Sequence, residues 1–152
     1  MAQEKKTIAF ACDHGGFILK EAVLKHVREK GYEVLDFGTD SAARCEYPDH
    51  GEPACRAVVA GKADLGILIC GTGIGMSLVA NKIHGIRAAC CSEPYSAKLT
   101  RMHNDANVLC FGARVVGEGT AIDIVDAFLD HEFEGGRHAD RVARIMAVEK
   151  EG

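Results

Sequence analysis

Five short apolar runs, at 7–12, 32–37, 64–70, 86–91 and 107–111, alternate along this chain with segments of helical spacing, and that alternation leaves few folds open. Runs this short and this apolar read as strands covered on both faces, as the strands of parallel sheets are. The expectation is an α/β domain built on a five-stranded parallel sheet. Leu19, Val23 and Val27 mark the inner stripe of a first helix that stops at Gly31. A shorter second helix begins near Pro53. Met76, Val79, Ala80 and Ile83 mark a third, and Pro94 opens a fourth. Ala121, Ile124, Val125 and Phe128 mark a fifth, and Val142, Ile145 and Met146 a last one after Glu134-Gly135-Gly136. No strand follows that last helix, so its apolar side must pack on its own sheet or on another subunit, and a dimer is expected. The longest irregular stretch, 38–49, carries Tyr47 and Pro48 and follows the second strand, from where it can reach the carboxyl edge of the sheet.

With 152 residues, 47% hydrophobic content and 3 prolines, the chain reads as one domain over 1–152 with a real core. Its net charge of -4 supplies no broad basic surface, which argues against a nucleic-acid partner. No stretch approaches the roughly 20 apolar residues of a membrane helix, and Met1-Ala2-Gln3-Glu4-Lys5-Lys6 has no secretory core, so a cytoplasmic location is expected. The 7 cysteines are odd in number and mostly lie in apolar strand-like runs, the setting of reduced thiols rather than of a disulfide framework. No C-x-x-C or His-x-x-x-His pair occurs, so neither metal nor cofactor is expected.

Chemistry concentrates at Ile67-Leu68-Ile69-Cys70-Gly71-Thr72-Gly73-Ile74-Gly75, where a buried-type strand delivers a thiol into a glycine turn that opens a helix. Alternating glycines let the backbone turn sharply and gather unpaired N–H groups into one concavity beside the helix N-terminus. Such a cup holds a phosphate, a carboxylate or an enediolate oxygen, and it favours the thiolate, the form that abstracts protons. Cys70 is therefore a candidate base. The alternative is a small buried hydrophobe, the ordinary role of a free cysteine. Walker A is excluded because Met76 and Ser77 supply no lysine, and Met76 stands where the dinucleotide fingerprint needs glycine.

Ligands of open parallel sheets bind beyond the carboxyl ends of the strands. Asp13-His14-Gly15-Gly16 follows the first strand and the Cys70 loop the third, so Asp13, His14 and Cys70 share one mouth if those strands are neighbours. Asp13 either orients a substrate hydroxyl or acts catalytically in proton transfer, its alternative being a helix cap, and His14, at a glycine-rich loop tip, is a ligand contact. His103 is a candidate acid or a complement to a helix dipole. Arg137 and Arg141, four apart after Gly135-Gly136, project from one helix face with His138 beside them and can clamp a phosphate. Arg114, after the fifth strand, is a further phosphate candidate.

The order of these motifs resembles the ribose-5-phosphate isomerase B family, which includes the galactose-6-phosphate isomerase subunits. It is carried by Ala11-Cys12-Asp13-His14-Gly15-Gly16-Phe17, Tyr47-Pro48-Asp49, Cys70 to Gly75, Ala80-Asn81-Lys82, Cys91-Ser92-Glu93-Pro94-Tyr95-Ser96-Ala97, His103-Asn104-Asp105, Phe111-Gly112-Ala113-Arg114 and Glu134-Gly135-Gly136-Arg137-His138. The resemblance implies a Rossmann-like three-layer α/β/α sandwich, with the C-terminal helix at a homodimer interface or in a dimer of dimers. It also implies metal-free interconversion of D-ribose 5-phosphate and D-ribulose 5-phosphate. Carried over, Cys70 is the base, the nest of Gly71, Thr72, Gly73, Ile74 and Gly75 holds the enediolate, and Thr72 offers its hydroxyl to it. His103 opens the sugar ring. Asp13, His14 and Tyr47 position the sugar, Asn104 binds near the reacting end, and Arg114, Arg137 and Arg141 grip phosphate, the last two across the subunit boundary. One branch of the family uses a glutamate where Met76 stands, so the thiol branch fits. A six-carbon sugar phosphate as substrate, and a non-catalytic phosphosugar-binding module, remain the alternatives.

Overall fold

The computed structural model describes residues 6–152, so residues 1–5 of the charged start lie outside the described residues. Five strands, β1 (Thr7–Cys12), β2 (Glu33–Asp36), β3 (Leu65–Cys70), β4 (Ala88–Cys90) and β5 (Val108–Gly112), form one sheet in the order β2-β1-β3-β5-β4. Every pairing is parallel, as the apolar runs foretold. The connecting helices are α1 (Phe17–Glu29), α2 (Tyr47–Val59), α3 (Ile74–Ala80), α4 (Pro94–Asn104) and α5 (Glu118–Leu129), and α6 (Arg137–Glu151) closes the chain.

Because side chains alternate along a strand, each central strand feeds two cores. Ile8, Phe10, Ile67, Ile69, Leu109 and Phe111 pack against α1, α4 and α5, while Ala9, Ala11, Leu68, Cys70, Val108 and Cys110 pack against α2 and α3. The result is the expected three-layer sandwich. Glu93 caps α4 by accepting the Ser96 N–H at 3.0 Å, and Pro94 follows in the first turn, where its missing N–H costs nothing.

The strands fall within one or two residues of the expected runs, and two helix boundaries differ more from the sequence reading. The second helix starts at Tyr47 rather than near Pro53. Pro48 sits in its first turn and Pro53 is accommodated inside, so the irregular loop ends at residue 46 and both Tyr47 and Pro48 are helical. The third helix ends at Ala80, short of Ile83, because Asn81 leaves the helix and clamps β4. Its side chain donates to the Ala88 carbonyl at 3.0 Å and accepts the Ala88 N–H at 2.8 Å.

The last helix lies off the sheet. Its only buried residue is His138, and Ile145 and Val148 are 48% and 68% exposed. It is held by the Glu149 carboxylate, which accepts the Gly85 N–H at 3.1 Å, and by Met146 Sδ against Arg87 at 3.4 Å. No candidate membrane-spanning helix occurs among the described residues.

Candidate active site

β1 and β3 are adjacent, and the sheet order reverses there, so the loops after them diverge and open a crevice at the carboxyl edge. Cys70 ends β3, 4% exposed, facing the α2/α3 layer. Its Sγ accepts the N–H of Gly73 at 3.1 Å. Gly73 has a left-handed φ of 82°, and a Cβ on it would stand 2.7 Å from the Phe111 backbone, so only glycine serves here. The Ile74 N–H donates to Thr72 Oγ1 at 3.2 Å. The N–H groups of Gly71, Thr72 and Gly75 have no acceptor among the described residues. These three amides and the sulfur form an anion-ready cup.

Two loops and the start of α2 hold the cup. The Ala113 N–H donates to the Cys70 carbonyl at 2.9 Å and the Arg114 N–H to the Gly71 carbonyl at 3.0 Å, which brings the exposed Arg114 over the turn. A Cβ on Gly71 would meet its guanidinium at 3.6 Å. The Asp13 N–H donates to the Ile69 carbonyl at 3.2 Å, and Asp13 Oδ1 accepts the Gly16 N–H at 3.0 Å, closing the turn into α1. Asp13 thus closes the turn that leads into α1, while the N-cap position itself is Gly16, with no side-chain cap bond. Tyr47, the first residue of α2, packs against the first turn of α3, where a Cβ on Gly75 would meet its ring at 2.8 Å.

Sequence reasoning missed two residues that organise this mouth. Cys45 donates its N–H to His14 Nδ1 at 3.2 Å, so in the neutral ring the proton sits on Nε2, which becomes the donor available to a ligand. Lys20, buried among the apolar residues of α1, donates to the Thr39 carbonyl at 2.8 Å and pairs with Asp36 at 3.0 Å and Asp40 at 3.1 Å. It straps down the loop that carries Cys45. A lysine between Leu19 and Val23 on the inner stripe was the available signal. Met76 is fully buried and fills the space beside Gly51, where a Cβ would stand 2.8 Å from its sulfur.

Four other thiols are buried in the two cores. Burial pushes Cys12 and Cys55 up to about 12 and Cys91 up to about 11, and Cys110 is raised well above the ordinary range. Cys90 is exposed, its Sγ 3.6 Å from the Thr72 carbonyl, the other end of the peptide that bonds Cys70.

A second group of expected residues stands elsewhere. All strands are parallel, so α4 starts at the carboxyl edge and returns to the amino edge, a path of roughly 16 Å along its axis. His103 and Asn104 end that helix, opposite Cys70. The His103 ring stacks on His138 with centroids 4.2 Å apart and planes at 11°. Glu134 Oε2 lies 3.8 Å from His103 Nε2 and 3.6 Å from His138 Nε2. The exposed Arg137 and Arg141 occupy the first two turns of α6 beside them. Burial first, then His103 and Arg137, push the His138 imidazole below its usual range. One donor atom from each of His103, Glu134 and His138 falls within 4.8 Å of the others, a metal-like spacing that separation in sequence concealed. Arg137 and Arg141 oppose a cation there. No hydrogen bond or ion pair among the described residues joins this group to the Cys70 cup.

The fold defines a Rossmann-like α/β protein with a thiol-bearing crevice at the carboxyl edge of a parallel sheet. The chain belongs to the Ribose/Galactose Isomerase family, whose profile matches residues 8–145. It is 57% identical to ribose-5-phosphate isomerase B of Escherichia coli (strain K12), over 95% of this chain and 97% of that protein. Among solved structures, ribose-5-phosphate isomerase B of Clostridium thermocellum is 50% identical with a TM-score of 0.93, covering 95% of this chain and 98% of that one. The Mycoplasma genitalium enzyme, solved with bound ribulose-5-phosphate, is 42% identical with a TM-score of 0.90, covering 96% and 97%.

Proposed function

We propose that this protein is an aldose–ketose isomerase that interconverts D-ribose 5-phosphate and D-ribulose 5-phosphate through an enediolate. The observation that carries the chemistry is the Cys70 sulfur at 3.1 Å from the Gly73 amide, beside three amides with no other acceptor. With the sugar open, the Cys70 thiolate takes the C2 proton. The C2–H electrons form the C1=C2 bond, and the aldehyde oxygen becomes an oxyanion that the cup shelters. Return of the proton from the Cys70 thiol to C1, with the O2 proton passing to O1, gives the ketose and restores the thiolate. Several preorganised donors outweigh what the thiol alone contributes, since one is worth roughly 3 to 4 kcal/mol. No step calls for a metal, and turnover should survive a chelator.

Asp13, His14, Tyr47, Thr72 and Arg114 serve the sugar from the same chain as Cys70. His103 as ring-opening acid, Asn104, and the phosphate-gripping Arg137 and Arg141 come from a second copy. The opposite-edge positions of the two groups support this, and so does the uncovered apolar stripe of α6 with Ile145 and Val148 exposed. The unit is then a homodimer with composite sites. Seven unpaired thiols suit a reducing compartment, and we place the enzyme in the cytoplasm.

Subunit complementation tests the reading. Cys70→Ala and His103→Asn should each be inactive on ribose 5-phosphate alone. Mixed, dissociated and reassociated, they should recover about a quarter of normal activity, because half the dimers are hybrids with one intact site of two. No recovery in verified hybrids would refute the shared site.

A further inference from the structure

We propose that Asp105 is a positioning residue: its carboxylate, bridging Arg87 and Arg101, fixes the end of α4 and so aims His103 and Asn104 at the sugar held by the other subunit. The proposal rests on the isomerase reading above and deepens it, giving a role to a residue which that reading leaves out.

The backbone makes the case first. α4 ends at Asn104, and Asp105 closes it in the left-handed conformation, with φ of 49° and ψ of 40°. Among the described residues it is the one non-glycine with positive φ. The N–H groups of Asp105 and Ala106 both donate to the Thr100 carbonyl, the bonds of a helix stop for which glycine is the ordinary choice. Gly31 and Gly61 turn the chain after α1 and α2 at φ of 97° and 78° without strain. An aspartate in such a conformation carries a cost that glycine avoids, so its side chain does something a hydrogen atom cannot.

That side chain holds two arginines. Arg101, one turn back on α4, donates to Asp105 Oδ1 at 2.5 Å and also to the Ala106 carbonyl. Arg87, immediately before β4, donates through Nε and Nη2 to the Asp105 carbonyl at 3.0 and 2.8 Å, and its Nη2 stands 3.4 Å from Asp105 Oδ2. The two guanidinium groups come from different elements, so the carboxylate ties the end of α4 to the sheet. Their side chains are only 18% and 12% exposed, which limits competition from water. Arg87 is itself anchored: its N–H donates to Asn107 Oδ1 at 2.7 Å, and Asn107 Nδ2 donates to the Gly85 carbonyl at 2.9 Å.

Arg87 reaches the last helix as well. Its Nη1 lies 3.4 Å from Met146 Sδ, roughly 13 Å along the axis of α6 from Arg137. The last helix is thus steered from two points, the stack of His138 on His103 near its head and the Arg87 contact further along. Without the carboxylate, each arginine keeps a backbone carbonyl but loses the second acceptor that sets its angle. The last turn of α4 is then held less firmly, and with it the directions of His103 and Asn104.

Asp105→Gly separates positioning from capping. Glycine takes positive φ freely and both arginines keep a backbone acceptor, so relief of the backbone offsets the lost carboxylate contacts. The urea midpoint, at one fixed protein concentration, should stay near that of the unaltered protein. With ribose 5-phosphate, kcat should nevertheless fall at least about tenfold, since a displacement of about 1 Å costs up to about 10²-fold. Asp105→Asn tolerates the same backbone and still offers an oxygen to the guanidinium groups, so it should restore kcat to within about threefold of normal. Normal turnover in Asp105→Gly overturns the role, and so does a loss of turnover that comes with a lowered urea midpoint, or an Asp105→Asn enzyme as slow as Asp105→Gly. Failure of the unaltered protein to admit solvent deuterium at C1 of ribulose 5-phosphate overturns the isomerase reading instead.

Discussion

Replacing Gly73 by alanine puts the cup to a quantitative test. The residue has φ of 82°, which costs an L-residue about 1–2 kcal/mol. Its new Cβ would also stand 2.7 Å from Phe111 Cα and C and 2.9 Å from Phe111 N, and a strand backbone cannot swing aside as a side-chain end does. Overpacking of that kind costs roughly 1–3 kcal/mol. The sum, about 2–5 kcal/mol, is a large share of the roughly 5–15 kcal/mol that holds a domain together. Gly31 is the control, with φ of 97° and nothing within 4 Å of a built Cβ. Gly31→Ala should show the backbone penalty alone. Urea unfolding at one fixed protein concentration, with a common m-value, gives both numbers. Relief of the clash moves the start of α3 away from Phe111 and takes the Gly73 N–H off Cys70, so turnover should fall with stability while Gly31→Ala keeps it. If the two variants unfold at the same urea concentration, the tight β5 contact is wrong, and with it the rigidity assigned to the cup.

Cys70→Ser keeps an acceptor for the Gly73 N–H, so its stability should stay near normal, but a hydroxyl is a poor base and turnover should drop about 10²–10⁴-fold. Cys70→Ala should be equally inactive and additionally less stable by about 1–3 kcal/mol, since the amide loses its partner; turnover within tenfold of normal in either would remove the base. At the α1/α5 seam, burial would raise the Asp126 carboxyl, but hydrogen bonds from His26 and Lys30 outweigh it and hold it below the ordinary 3.8. A depressed carboxyl stabilises the fold fully above its unfolded value and loses that contribution as pH falls through the folded one. Asp126→Asn should therefore lower the urea midpoint near neutrality and flatten its decline below about pH 4, and an unchanged acid slope would count against the pairing.

The sheet was legible because burial on both faces writes itself as unbroken apolar runs, and β1 falls at the expected Thr7–Cys12. The α2 start was not legible, because a proline reads as a start signal wherever it falls, and Pro48 and Pro53 compete for the role. Tertiary contact decided for Pro48, with Tyr47 placed against Gly75. At the site, Cys70 and its glycines announced themselves because turn chemistry is local. Lys20 and Cys45 did not, since their work is done by contacts 19 and 31 residues away in sequence. The stacking of His103 on His138 is of the same kind, a meeting of two helix ends that no periodicity encodes.

Successive residues of β3 look into different halves of the molecule, Ile69 toward one helix layer and Cys70 toward the other. The Cys70 sulfur therefore occupies a quantised address. Sliding the strand by one position would bury it under α1 and α5 and present an isoleucine to the amide cup, with no intermediate placement. Descendants of such a chain can change what stands at that address, or hand its task to the turn that follows, but they cannot adjust it by degrees.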